Sequence, residues 1–383
     1  MEPDRVEQET TAGSVLDLLA VRAQAALSFV QTGLLQARVT ETGVERVERG
    51  TQASRIFALV AVAILIALVA MPWWGDAGTM RLVGEMAYYV ALAQLWNLLA
   101  GYAGLVSVGQ QAYVGLGGYA LFYLTGPMDM NVYWALILAG PFAGLMAIPV
   151  SFAVFRLRGA YFAVGTWVVS EVFALFASLI AILGAGSGLS LTPAILREIS
   201  SSRDVRGAVL YLLSLAISAL VFAVVYLLLR SRHGLALTAI RDSEPASASL
   251  GVNTFRTKFI IYIATAACTG LIGGLIFLQK LRISPEAGFS INDWTVVVIF
   301  MVVIGGIGTL EGPFIGMLIY FVLRELLADY GSYYLILMGA IAIAVMLKAP
   351  FGIWGWVIQR YDLQLFPVGR RLALAPPEDA AKR

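Results

Sequence analysis

Apolar residues come in long blocks along this chain, and polar residues gather into short islands between them. Ten such blocks stand at roughly 56–74, 82–100, 106–125, 132–155, 160–183, 208–229, 257–279, 294–307, 310–328 and 333–347. Several run uncharged for about 18 residues or more, which is enough for a helix to cross a hydrocarbon core. Ile56 to Trp74 carries no charge at all. A free N–H or C=O finds no water inside a bilayer, so helices are the default. The third and eighth blocks are short or broken by glycine. The pattern predicts an all-α, polytopic helical membrane protein of about ten spans with Gly-broken helices. It divides the chain into an N-terminal tail over 1–55, a membrane domain over 56–355 and a C-terminal tail over 356–383.

Composition agrees with that reading. The chain is 60% hydrophobic and 13% charged, whereas soluble domains are about 25% charged. Its net charge of +2 gives no general basic surface for nucleic acid, so the cations matter by location. Arg156 and Arg158 mark one loop, Arg230, Arg232, Arg241, Arg256 and Lys258 a second, and Lys348, Arg360, Arg370 and Arg371 follow the last block. Ten spans put all three regions on one side, the cytoplasm by the positive-inside rule. The loop over 184–207 then faces outward, and its Arg197, Arg203 and Arg206 are a counter-signal offset by Glu198 and Asp204. Both termini are expected in the cytoplasm, and no cleaved signal peptide is expected. In the tail, Val15, Leu18, Leu19, Ala26, Phe29 and Val30 form a stripe interrupted by Arg22. That stripe suits either an interfacial helix or a partly ordered tail.

Chemistry-bearing groups are few. One cysteine, Cys268, lies in an apolar block and one histidine, His233, in a basic island, so no intramolecular disulfide, metal site or cofactor is expected. No nucleophile–base set points to an enzyme, no phosphate-binding Gly-x-x-x-x-Gly-Lys-[Ser/Thr] run is present, and no arginine ladder suggests a voltage sensor.

The island over 230–256 holds the most informative segment, Arg241-Asp242-Ser243-Glu244-Pro245-Ala246-Ser247-Ala248-Ser249-Leu250-Gly251. Ser243 suits a helix cap, Glu244 and Pro245 a first turn, and Gly251 a helix end. Small residues at 246–249 would let a partner approach closely. The segment reads as a short surface helix for a partner to grip, with Arg241, Ser243, Glu244, Ala246, Ser247, Leu250 and Gly251 as candidate coupling residues. A plain solvated loop is the alternative.

Glycine and amide residues concentrate in a second run, from Gly101 to Tyr119. Broken helices at membrane depth are tolerated where protein or water covers the backbone. Asn97, Gly101, Gly104, Ser107, Gly109, Gln110 and Gln111 are candidate pathway or gate residues; tight helix packing is the compatible alternative. Gln94 and Asn97 also read as helix bridges. Gly305, Gly306 and Gly308 form a second break and join the pathway set, as do Gly186 and Gly188 in the outward loop. Glu171 stands near the middle of an apolar block, where a charge costs roughly 2.5–3.5 kcal/mol on insertion scales, so a partner or an aqueous cavity is expected. It belongs either to the pathway or to a hydrogen bond within the bundle.

Four ordered motifs over roughly 82–355 carry a family resemblance. They are Leu95 to Gly109 (Leu-Trp-Asn-Leu-Leu-Ala-Gly-Tyr-Ala-Gly-Leu-Val-Ser-Val-Gly); Arg158-Gly159-Ala160-Tyr161-Phe162-Ala163 running into Glu171; Gly234 to Glu244 continuing through Leu250-Gly251-Val252-Asn253; and Ser284-Pro285 followed by Gly305 to Pro313. Together they resemble the larger, M-type permease subunit of branched-chain amino-acid ABC importers. The resemblance implies a transport subunit of the bacterial inner membrane, set among membrane lipid. Its implied partners are two ABC ATPase subunits on the cytoplasmic side, a second related permease and a periplasmic substrate-binding protein. It also implies that 244–251 is the coupling segment; Ser247 replaces the second alanine of the family pattern, and Pro245 is an unusual follower of Glu244. Gln110 and Gln111 stand where the family often has Gly-His. Alternatives are a same-family permease for urea, short amides or aromatic acids, and a stand-alone ion-coupled transporter, for which Glu171 would be the central group.

Overall fold

The computed structural model describes residues 45–48, 52–327, 333–349, 351–361, 365–366, 368 and 371–374. The tail stripe and its Arg22 lie outside them. The chain falls into two units. In one, formed from residues up to 49 and from 370 onward, strand β1 (Glu45–Glu48) pairs antiparallel with a second strand, Arg371–Leu374, with Glu45 opposite Leu374. Residues that precede the helical unit in the sequence are therefore hydrogen-bonded to residues that follow it.

The other unit, residues 50–369, is helical. Helix α1 (Gln52–Val69) is apolar and largely exposed, and a single turn at Met71–Trp73 follows it. Asp76 starts α2 (Ala77–Asn97) by accepting the amide protons of Gly78 and Thr79 at 2.9 and 3.0 Å. Its carboxyl is held below the usual carboxylate range, first by the Thr79 hydroxyl. Near its end α2 widens into a π-turn at Leu98–Tyr102. The next block is not helical from its start, for α3 (Gln110–Thr125) begins only after Gly109. Helices α4 (Val132–Val154) and α5 (Ala160–Leu179) follow, then the short α6 (Pro193–Ile199) and the long α7 (Arg203–Arg230). Short strands β2 (Leu189–Ser190) and β3 (Arg282–Ile283) clip the loop after α5 to the chain beyond the central helix.

The island over 230–256 contains two helices where the sequence predicts one. Helix α8 (Arg232–Asp242) precedes the expected surface helix, α9 (Glu244–Ser249). Helix α10 (Thr254–Lys280) is central and packs against α3 and α4. A Cβ on Gly117 would lie 1.9 Å from the Gly270 carbonyl oxygen, so α3 and α10 touch backbone to backbone. Without hydrophobic drive between helices in lipid, such close van der Waals contact holds a bundle together. The chain ends with the one-turn α11 (Pro285–Gly288), then α12 (Val297–Gly305), α13 (Gly312–Leu327), α14 (Tyr333–Lys348) and α15 (Gly352–Tyr361). A second strand pair apart, β4 is the Arg371–Leu374 strand already described.

Seven helical stretches among the described residues are long and apolar enough to cross a membrane. The protein is thus an all-α, multi-pass membrane protein, and the count of about ten is not reached on that criterion. The shortfall lies in α2, α3 and α13. Helix α2 is diluted by polar groups such as Arg81, Glu85, Gln94 and Asn97, and α3 and α13 have 16 residues each.

Candidate functional site

Ser243 accepts the Ala246 amide at 3.4 Å and caps α9, as expected from its residue type. Glu244 is fixed from outside the helix: the Lys258 ammonium on α10 sits 2.7 Å from its carboxylate. That hydrogen bond holds the Glu244 carboxyl below its ordinary value of 4.5. Ala246 and Leu250 are exposed, Leu250 by 83%. Ser247 departs from Ala246 and Leu250 in exposure. It is buried, with its hydroxyl donating back to the Glu244 carbonyl at 2.9 Å.

Arg241, at the end of α8, reaches the other way. Its Nη1 donates to the Gly101 carbonyl at 2.8 Å, inside the π-turn of α2. The two glycine breaks meet at this point. A Cβ on Gly101 would lie 2.6 Å from the Gly308 nitrogen, so only glycine fits there. Asn97 spans the junction, donating to the Thr309 carbonyl at 2.7 Å and accepting from the Gly308 amide at 2.8 Å. Gln94 donates to the Leu310 carbonyl at 2.7 Å. Backbone groups freed by both broken helices are thereby satisfied inside the protein, as hydrocarbon demands. Gln94 and Asn97 are helix bridges. Arg241, in the last turn of α8 just ahead of α9, ties the polar island to this junction, and in sequence the three parts lie far apart.

The remaining candidates lie elsewhere. Ser107, Gly109, Gln110 and Gln111 are packed at the start of α3. The Gln111 side chain donates to Ser170 at 2.7 Å and accepts from the Thr295 hydroxyl, joining α3, α5 and the turn before α12. Gln110 donates to the Leu92 carbonyl at 3.0 Å. A cavity of about 10 Å³ beside Ser107 and Gln110 is far too small for an amino acid. Gly186 and Gly188 sit at the β2–β3 clip, beyond the C-terminal end of α10. Helix α9 adjoins the N-terminal end of α10, roughly 40 Å away at 1.5 Å per residue.

Glu171 is not inside the bundle. It lies on the exposed face of α5, and its partner is on the same helix: the Trp167 indole donates to it at 2.9 Å. Around it Val168, Val172 and Leu175 are exposed as well. Residue-type reasoning also passed over Glu311. This buried carboxylate accepts the amides of Leu365 and Phe366 at 3.1 and 2.9 Å, fastening the segment beyond α15 to the second glycine break.

The described residues thus form a multi-pass helical bundle with two glycine breaks that meet, and Arg241 of α8 reaches them. Residues 78–346 match the family described as the permease component of the branched-chain amino acid transport system, and the chain belongs to that family. It is 28% identical over 317 residues to the high-affinity branched-chain amino acid transport system permease protein LivM of Escherichia coli, covering 77% of this chain and 74% of the relative. It is also 28% identical over 291 residues to a probable LivM permease of Methanocaldococcus jannaschii, covering 67% of this chain and 82% of the relative. Identity to the Escherichia coli LivH permease is 26% over 290 residues, 70% of this chain and 91% of the relative. No solved structure matches the chain.

Proposed function

We propose that this chain is the permease subunit of an ABC importer that carries branched-chain or other small hydrophobic amino acids across the bacterial inner membrane. Two separate ATPase subunits drive it, a second related permease pairs with it, and a periplasmic binding protein delivers the substrate. The observation that carries the reading is the link from Arg241, at the end of α8 beside α9, to Gly101 and the Gly308 break. A push on α9 would reach the broken helices through α8 and its Arg241. The names of the LivM and LivH relatives support the substrate class and the pairing of two related permeases.

The described face of α5 supports the pairing too. A mid-span carboxylate does not face lipid cheaply, so the second permease or the aqueous passage between the two subunits covers Glu171. Ten crossings with both tails cytoplasmic complete the reading. The strand pair between the tails supports an even number of crossings, and α2, α3 and α13 raise the seven long apolar stretches to ten. The positive-inside rule puts α8, α9 and both tails in the cytoplasm.

The test is at the exposed positions of α9. Ala246→Trp places a bulky group where the ATPase would sit, and Glu244→Lys removes the anchor of Lys258 and puts a cation at the helix start. Both variants insert normally, and both lose co-purification of the ATPase subunits and uptake of leucine. Wild-type values of both readouts in both variants would reduce α9 to a connector.

A further inference from the structure

A second site lies at the far end of the membrane helices. Helix α7 runs 28 residues from Arg203 to the α8–α9 region, so its N-terminal end is roughly 40 Å from the coupling segment. At that end a cavity of about 970 Å³ opens between the turn after α1 and the adjoining ends of α2, α7 and α10. This is at the upper end of the range of about 300–1,000 Å³ for small-molecule pockets.

Four cations line the cavity: Arg81 from α2, Arg203 and Arg206 from α7, and Lys280 from α10. Two carboxylates, Glu85 and Asp204, line it with them. Glu85 is already engaged by Arg324, at 2.7 Å. None of the four cations takes part in an ion pair among the described residues. Lys280 instead holds its ammonium 4.5 Å from the Trp294 ring centroid. The neutral polar groups of the wall are mostly committed: Gln279 donates to Ser214 at 2.6 Å and the Tyr211 hydroxyl donates to the Leu68 carbonyl at 2.7 Å. Arg206 also donates to the Ser200 carbonyl at 3.5 Å, and with Asp204 set against the four cations the charge left over in the cavity is positive.

Two features set its depth and neighbours. Pro72 and Gly75 belong to the wall, and between them Trp73 and Trp74 are 84% and 67% exposed. Exposed tryptophans at a span end mark the headgroup level of a bilayer. Helix α1, which leads into this wall, presents exposed Val62 and Ile66 one turn apart, apolar surface for acyl chains.

We propose that this cavity binds the phosphate headgroup of an anionic phospholipid. Arg81, Arg203, Arg206 and Lys280 take the phosphate and the headgroup, and the acyl chains lie along α1. The proposal needs only that the chain spans a membrane. It holds whichever way the protein is oriented and whatever it transports.

The full-length permease, purified in detergent, tests it. Dioleoylphosphatidylglycerol, dioleoylphosphatidylcholine, inorganic phosphate and leucine are added separately. Thermal unfolding and lipid retention by native mass spectrometry are then read. Phosphatidylglycerol raises the unfolding midpoint and survives detergent washing; the other three do neither to the same extent. The double variant Arg81→Gln, Arg203→Gln reduces phosphatidylglycerol retention by roughly tenfold, as expected from the attraction of each cation for anionic lipid. The variant Arg81→Lys, Arg203→Lys keeps retention, which separates lost charge from lost folding. Equal stabilisation by inorganic phosphate or leucine would make this a free-anion or substrate site and overturn the proposal. So would equal retention of phosphatidylcholine, or undiminished retention in the glutamine variant. ATPase association and uptake are not read, so failure here leaves the importer reading standing.

Discussion

Arg241 is the residue on which most depends. Its guanidinium is half exposed, so the bond to Gly101 adds little to stability. On the importer reading its role is mechanical, because it joins the polar island to a broken helix. Arg241→Ala is therefore expected to leave insertion and ATPase co-purification intact while lowering uptake about tenfold, within the range of coupling energies between distant sites. Arg241→Lys keeps the charge but loses the planar fork, and restores uptake only in part. The comparison to make is uptake per co-purified complex; unchanged uptake in Arg241→Ala would show that motion passes by another route. Ser247 makes the complementary point. It shares a small-residue run with Ala246, yet its hydroxyl is turned inward. A bulky residue at 247 would damage α9 itself and is no probe of the partner.

At the scale of elements, α10 organises the bundle because its small residues let α3 and α4 approach. Gly117 on α3 meets the Gly270 carbonyl, and a Cβ on Gly273 would lie 2.2 Å from the Val114 carbonyl oxygen. Overpacking a close contact typically costs about 1–3 kcal/mol, and here the obstacle is backbone, which cannot swing aside. Gly117→Val should lower the thermal midpoint of the detergent-solubilised protein clearly, whereas Gly186→Ala, with no atom within 4 Å of the added Cβ, should leave it unchanged. Equal midpoints would mean that α3 and α10 can separate without loss. Helix α8 is a missed element. Its signal was present: Ser231 caps it by accepting the His233 amide at 3.1 Å, and Leu237 and Ile240 recur on its buried side. The charges around it masked that period.

For the whole molecule the open quantity is the number of crossings. The proposed topology has ten crossings with both tails in the cytoplasm, and it is tested by labelling and by reporters. In a Cys268→Ser background, a cysteine at Ser249 should resist an impermeant thiol reagent added to sealed cells. Reporters fused ahead of Met1 and after Arg383 should both read cytoplasmic. Opposite readings from the two reporters would make the count odd and break the ten-span topology; efficient outside labelling at 249 would invert it.

Solvation made part of this protein readable in one dimension. Long uncharged blocks require helices in hydrocarbon, and a serine before Glu-Pro requires little more than its own neighbours to cap a turn; both are local conditions. The helical membrane class, the short helix α9 and the family motifs were therefore legible in residue order. Contacts across the fold were not. Gly101 and Gly308, 207 positions apart by number, become one junction because two breaks leave backbone groups that only each other's neighbours can satisfy. Arg241 is drawn to that junction rather than to solvent for the same reason. Glu171 was legible as an unusual charge, but the face it occupies depends on how α5 rotates against its neighbours. The four cations around the far cavity sit on three separate helices, and their meeting is a consequence of packing that no local pattern encodes.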